Sequence, residues 1–91
     1  MSLNMTNDIA IESRIRKILT DQLGQNLSSN RDEVTMNAIP TWDSMAQVGI
    51  VVAVESEFGI EADGALIEAQ TLAALVESVN EKLMVSAVTR S

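Results

Sequence analysis

The segment TWDSMAQVGIVVAVESEFG, Thr41–Gly59, decides how this chain folds. Its middle, Val48 to Val54, is nearly all apolar and rich in β-branched residues, a composition that also suits a buried strand. Periodicity does not choose between the two, because almost every position is apolar. Length and punctuation do. Asp43 stands where a carboxylate can accept the N–H groups left free in a first helical turn, and Gly59 stands where a helix stops. The 16 residues from Asp43 to Phe58 are long for a strand. The segment therefore reads as a helix, buried on most sides as the central helix of a bundle. Gly49 within it costs up to ~1 kcal/mol relative to Ala. Ser44 falls at the first helical position with its hydroxyl toward water. The partial positive charge and free N–H donors of a helix start suit an attached phosphate.

Upstream, Ile11, Ile15, Ile18, Leu19 and Leu23 recur at helical spacing, with Arg14, Arg16 and Lys17 largely on the other side. Thr6 or Asn7 can cap this helix, Asp8 and Glu12 suit its positive end, and Gly24 stops it. Its expected span is Asp8 to Leu23. From Gly24 to Trp42 runs a polar loop, stiffened by Pro40 near its end. It is long for a structureless connection. Leu27, Val34, Met36, Ile39 and Trp42 give it apolar anchors, so it is expected to lie packed across the bundle.

Downstream, Ile60 to Gln70 is a connector. Asp63 and Gly64 favour a turn, and Ala65 to Ala69 form one short helix. Thr71 caps a last helix whose Leu72, Leu75, Val76, Val79 and Leu83 share a face, with Glu77 and Glu81 outward. The expectation is an all-α bundle of three principal helices and a short one. One domain spans 8–84, between a flexible N-terminus (1–7) and a flexible tail (85–91). Met5 is a possible native start, with Met1 to Asn4 an added leader.

The residues Asp43-Ser44-Met45, then Val48, Val51, Val52, Glu55 and Phe58-Gly59-Ile60, resemble the acyl carrier protein family over roughly residues 8 to 84. In that family an Asp-Ser-Leu or Asp-Ser-Met triplet opens the second helix, after a long loop like the one here. The resemblance implies a four-helix carrier domain in which Ser44 carries 4′-phosphopantetheine, attached by a phosphopantetheinyl transferase using coenzyme A and a divalent metal. The arm's thiol holds acyl or aminoacyl groups as thioesters while partner enzymes load, alter and unload them. By the same resemblance Asp43 assists transferase docking, Met45 is an apolar partner contact, and Glu55 meets basic partner surfaces. Each has a structural counterpart: a cap, core packing and a solvated face. Val48, Val51, Val52 and Phe58 are expected in the core. The first turns of this helix hold Ala46, Gln47 and Gly49 where fatty-acid-synthesis carriers usually place several acids. The Gly-Gly-His-Ser type of motif of peptidyl carriers is absent. These departures favour a stand-alone carrier in a dedicated pathway: polyketide-like, aminoacyl or surface-polymer modification.

Composition narrows the chemistry. With neither cysteine nor histidine among its 91 residues, the chain has no disulfide, no thiolate metal site and no histidine base. A serine nucleophile needs an activating base. Of the two lysines, neither Lys17 nor Lys82 sits in a recognisable pairing with Ser44, so an enzyme is not expected. Gly59 to Gln70 resembles a calcium loop only in Gly64 at the sixth position; Gly59 and Gln70 replace the first and last carboxylates. The net charge is −7, and between Asp43 and Glu81 eight acids meet no Lys or Arg. That balance argues against nucleic acid and favours steering toward basic proteins. The N-terminus lacks the pattern of a signal peptide and no apolar run reaches a membrane span, so a cytoplasmic protein is expected. A monomer is expected, since no exposed apolar seam is evident. The rival to the carrier is a small acidic interaction module without a prosthetic group, its second and third helices binding a basic partner.

Overall fold

The computed structural model describes the backbone of residues 2–90 and the side chains of residues 9–84. Among these residues the chain is an all-α bundle. Its helices are α1 (Ser2–Leu23), α2 (Ser44–Phe58), α3 (Gly64–Ile67) and α4 (Leu72–Arg90), with a 3-10 turn at Arg31–Glu33. Helix α1 begins ahead of the expected caps Thr6 and Asn7. No Gly or Pro between Ser2 and Asp8 interrupts the helix. The side chains of the expected flexible ends, 1–7 and 85–91, lie outside the described residues.

Helix α1 packs against both α2 and α4, and α3 sits against α2 and α4. The anticipated faces of α1 and α4 meet in one core. Ile15, Leu19, Leu72, Leu75 and Val79 are fully buried in it, and burying each such side chain stabilises by ~1.5–3 kcal/mol. Gly24 ends α1 at a φ of 70°, a left-handed conformation that glycine adopts without steric cost.

The long loop closes one side of this core, as expected from its anchors. Val34, Ile39 and Trp42 are buried and Leu27 and Met36 pack against them. Backbone bonds join it to the start of α4: Met36 N–H donates to Gln70 O at 2.8 Å, and Leu72 N–H to Val34 O at 2.9 Å. Arg16 secures its first half, donating to Ser28 O at 2.7 Å and Ser29 O at 3.1 Å.

Helix α2 is not the centre of the bundle: the broadest helix pairing is α1 with α4, and α2 packs against α1 and α3. Helix α2 buries only the side bearing Gln47, Ile50, Val51 and Val54. Val48 and Val52, expected in the core, are exposed instead. Apolar residues at nearly every position give the helix no polar face to mark its outside, and α1, α3 and the loop cover one side alone. Gly49 lies where α1 comes close: a Cβ there would stand 2.5 Å from the Gln22 side-chain oxygen.

Candidate functional site

The start of α2 carries the candidate site. Asp43 has extended backbone (φ −110°, ψ −171°) and its Oδ1 accepts the Ala46 N–H at 2.9 Å. The helix begins at Ser44, as its sequence implies, and Gln47 N–H donates to Asp43 O at 2.9 Å. Asp43, Ser44 and Met45 are all exposed, so these three predicted residues come together at one helix end. The first-turn N–H groups of Ser44 and Met45 precede the intrahelical ladder and point out of the helix's positive end. At the far end Gly59 adopts φ 64°, and Ile60 N–H donates to Glu55 O at 3.2 Å, the long C-terminal bond of a Schellman turn.

Glu55 stands apart from the other three. Eleven residues of helix separate it from Ser44, roughly 16 Å along the axis. Its Oε2 accepts the Ala62 N–H at 2.7 Å, which fastens the connector to the end of α2. Two neighbouring acids, Glu57 and Asp63, are similarly engaged, while Glu61 is exposed. Glu57 pairs with Arg14 at 2.7 Å, and the Arg14 guanidinium also lies over the Phe58 ring, 4.6 Å from its centroid. Asp63 caps α3 through Leu66 N–H at 3.0 Å and meets Lys82 Nζ at 3.3 Å. Those two contacts, the Leu66 N–H first, hold the Asp63 carboxyl below its ordinary value. Lys82 is thus committed to Asp63 and does not serve Ser44 as a base.

Between α2 and α3 lies an open groove of about 250 Å³, lined by Gln47, Val48, Val51, Val52 and Ile67. Around it the surface is apolar: Met45 is 84 % exposed, Val48 64 %, Val52 57 % and Ile67 53 %. Met45, Val48 and Val52 follow helical spacing on one side of α2. The expectation of a monomer assumed that no such seam exists; α2 and α3 present one.

Gln47 is a residue whose part the sequence did not announce. It is the buried polar side chain of the described core. Its Oε1 accepts the Trp42 indole N–H at 2.7 Å. Its Nε2 donates to Ile67 O at 3.0 Å and Ala69 O at 2.8 Å. Gln47 therefore ties the residue before the Asp43 cap to the end of α3 and forms the one polar element of the groove lining. A signal was available: a buried Trp needs an acceptor, and Gln47 is the lone amide in an apolar helix. No protein-family model matches the chain, and no solved structure is significantly similar to it.

Proposed function

We propose that the protein is a stand-alone acyl carrier protein, modified with 4′-phosphopantetheine on Ser44 and serving a dedicated biosynthetic pathway. The observation that carries this reading is an exposed serine at the first position of a long, well-capped helix, on a chain with no histidine to make that serine a nucleophile. The residues present fit the group. Ser44 faces solvent, its hydroxyl is reachable by another protein, and the helix start favours the negative charge of a phosphodiester. Asp43 fixes the backbone that presents Ser44, and Gln47 fixes the segment before it. The transferase supplies the base and metal that the chain lacks, so Ser44 need only be presented. When bound, the arm supplies a thiol that holds an acyl or aminoacyl group as a thioester, and the tether raises its local concentration at each partner enzyme.

The test is intact-protein mass after incubation with coenzyme A, magnesium and a broad-specificity phosphopantetheinyl transferase. The expected result is a gain of one phosphopantetheine on the Ser44 peptide, absent from a Ser44→Ala variant that folds normally. No gain in folded wild-type protein across several transferases would overturn the carrier reading. It would favour an interaction module, for which the apolar seam on α2 and α3 is the supporting observation.

A further inference from the structure

We propose that the end of the bundle remote from Ser44 binds a small apolar carboxylate, in a cavity where α1, the end of α2 and α4 diverge. The inference goes beyond the carrier reading and does not depend on it. Phe58, in the wall of this cavity, closes the α2 helix that Ser44 opens, roughly 21 Å away along the axis. The cavity shares no lining residue with the groove between α2 and α3.

Three observations carry it. The first is size and lining. The cavity measures about 280 Å³, and its apolar walls are Ala10 and Ile11 of α1, Phe58 of α2, and Leu83 and Met84 of α4. At water's share of roughly 30 Å³ per heavy atom it admits about nine such atoms, a medium-length acyl chain or a single substituted ring. The second is unused hydrogen-bonding capacity. Arg14 and Asn80 are the polar members of the lining. Arg14 Nε donates to Glu57 Oε2 at 2.7 Å and Nη2 to Glu57 O at 3.1 Å, while Nη1 has no partner among the described residues. The half-buried Asn80 amide has none among them either. A carboxylate supplies acceptors to both N–H groups while its apolar body is buried against the walls. The third is the setting of the cation. The Arg14 guanidinium lies 4.6 Å from the Phe58 ring centroid, so the ring and Glu57 together fix its side chain. The pair with Glu57 is open to solvent, with 51 % and 40 % of the two side chains exposed. Such a pair contributes little, so a second carboxylate joins or displaces it at small cost.

The probe is sodium octanoate, whose size matches the cavity, with 1-octanol as the neutral molecule of the same chain length. Each is titrated into the full isotope-labelled chain, and backbone amide chemical shifts give both the Kd and the location. The expected result for octanoate is a Kd on the order of 1 mM, with the largest shifts at Ala10, Arg14, Phe58, Asn80 and Leu83. Octanol should bind about tenfold more weakly, since it lacks the charge-assisted bonds. Arg14→Gln should weaken octanoate about tenfold and leave octanol unchanged. Glu57→Gln removes the competing carboxylate and should tighten octanoate about threefold, a gain that loss of a merely structural ion pair does not produce. Ala10→Phe fills the cavity from an exposed position and should abolish binding of both. Circular dichroism checks that each variant folds. Ser44→Ala should bind octanoate as the wild type does, so this test stands whether or not the serine is modified.

Largest shifts at Gln47, Val48, Val52 and Ile67 would move the ligand to the other groove and overturn the proposal. Equal affinity for octanol and octanoate would overturn it too, as would unchanged octanoate binding in both Arg14→Gln and Glu57→Gln. Wild-type protein that does not saturate below the concentration at which octanoate self-associates would leave no specific site. Sedimentation of the ligand-free wild type as a dimer that Ala10→Phe dissociates would assign the cavity to a second copy of the chain and also overturn it.

Discussion

Helices α2 and α3 start in the same way and end up with different surroundings. Asp43 and Asp63 share extended backbone, and each accepts the N–H three residues ahead, at 2.9 and 3.0 Å. The residue after each is small: Ser44 in one, Gly64 in the other. From there they diverge. Asp63 is held by Lys82 and heads a helix of 4 residues. Asp43 pairs with no cation among the described residues, heads a helix of 15 residues and opens onto the apolar surface of Met45, Val48 and Val52. An aspartate cap is therefore a structural device that this chain uses twice. What singles out the α2 start is the exposed hydroxyl beside the cap and the apolar surface beyond it.

The sharpest way to break this comparison is to move the serine. Gly64 has open space where a side chain would project, so Ser fits there. In a Ser44→Ala/Gly64→Ser double variant the Asp-Ser pair is rebuilt at the head of α3. The expected outcome is complete loss of phosphopantetheine loading, read by intact mass against a loaded wild type. Full loading at position 64 would mean that a capped serine suffices and that the apolar surface beside Ser44 contributes nothing.

Gln47 is the physical link between the start of α2 and the end of α3, and its removal should produce the largest loss of stability. Gln47→Ala leaves the Trp42 indole N–H and the Ala69 carbonyl without their partner. Stranding buried polar groups in this way costs ~2–4 kcal/mol in total. Urea denaturation of the unmodified protein measures it. A loss under about 0.5 kcal/mol, the scale of an ordinary surface change, would show that the clamp is dispensable.

Much of this architecture is readable from residue order, for reasons that differ by element. The caps Asp43 and Thr71 and the stop at Gly59 are local devices: a side chain or a backbone conformation acts within a few residues of itself. The short helix α3 starts at Gly64, slightly before its expected position, because Asp63 caps it and does not simply turn the chain. The buried faces of α1 and α4 are legible because polar residues mark their outer sides. Helix α2 fails that test. Val48 and Val52 carry the same apolar signal as Ile50 and Val54, and only tertiary packing separates them. Of the Trp42–Gln47–Ala69 connection, the Trp42–Gln47 half has a local signal, but the Ala69 half is illegible: it is distant in sequence and is a backbone carbonyl, which any residue supplies. Ser44, Asp43 and Met45 were placed together by proximity in the chain. Glu55 looked similarly exposed in sequence, yet it is engaged by a connector whose path a linear reading does not give.

The two caps can be weighed directly. Asp43→Ala removes one N-cap bond and should cost about 1 kcal/mol in urea denaturation. Asp63→Ala removes the corresponding bond and the Lys82 contact, so it should cost more than Asp43→Ala despite heading the shorter helix. Equal losses would show that the Lys82 pair contributes nothing measurable, the usual result for an isolated exposed pair.

Acid titration isolates the smallest of these effects. Asn caps a helix about as well as Asp, so Asp63→Asn keeps the bond from Leu66 N–H and removes the charge. The folded-state carboxyl of Asp63 lies below its ordinary value, through the Leu66 N–H first and Lys82 second. A depressed carboxyl contributes stability that is fully present above the unfolded value, about 3.9. That contribution is lost as pH falls through the lower folded value. The stability difference between wild type and Asp63→Asn should therefore hold constant above about pH 5 and shrink between about pH 4 and pH 2. A matched comparison of Asp43→Asn with wild type shows whether the fading belongs to Asp63 or to acid unfolding in general. If the Asp63→Asn difference persists unchanged to the lowest pH at which the protein stays folded, the charge on Asp63 is not what anchors α3, and the neutral cap bond alone holds that helix.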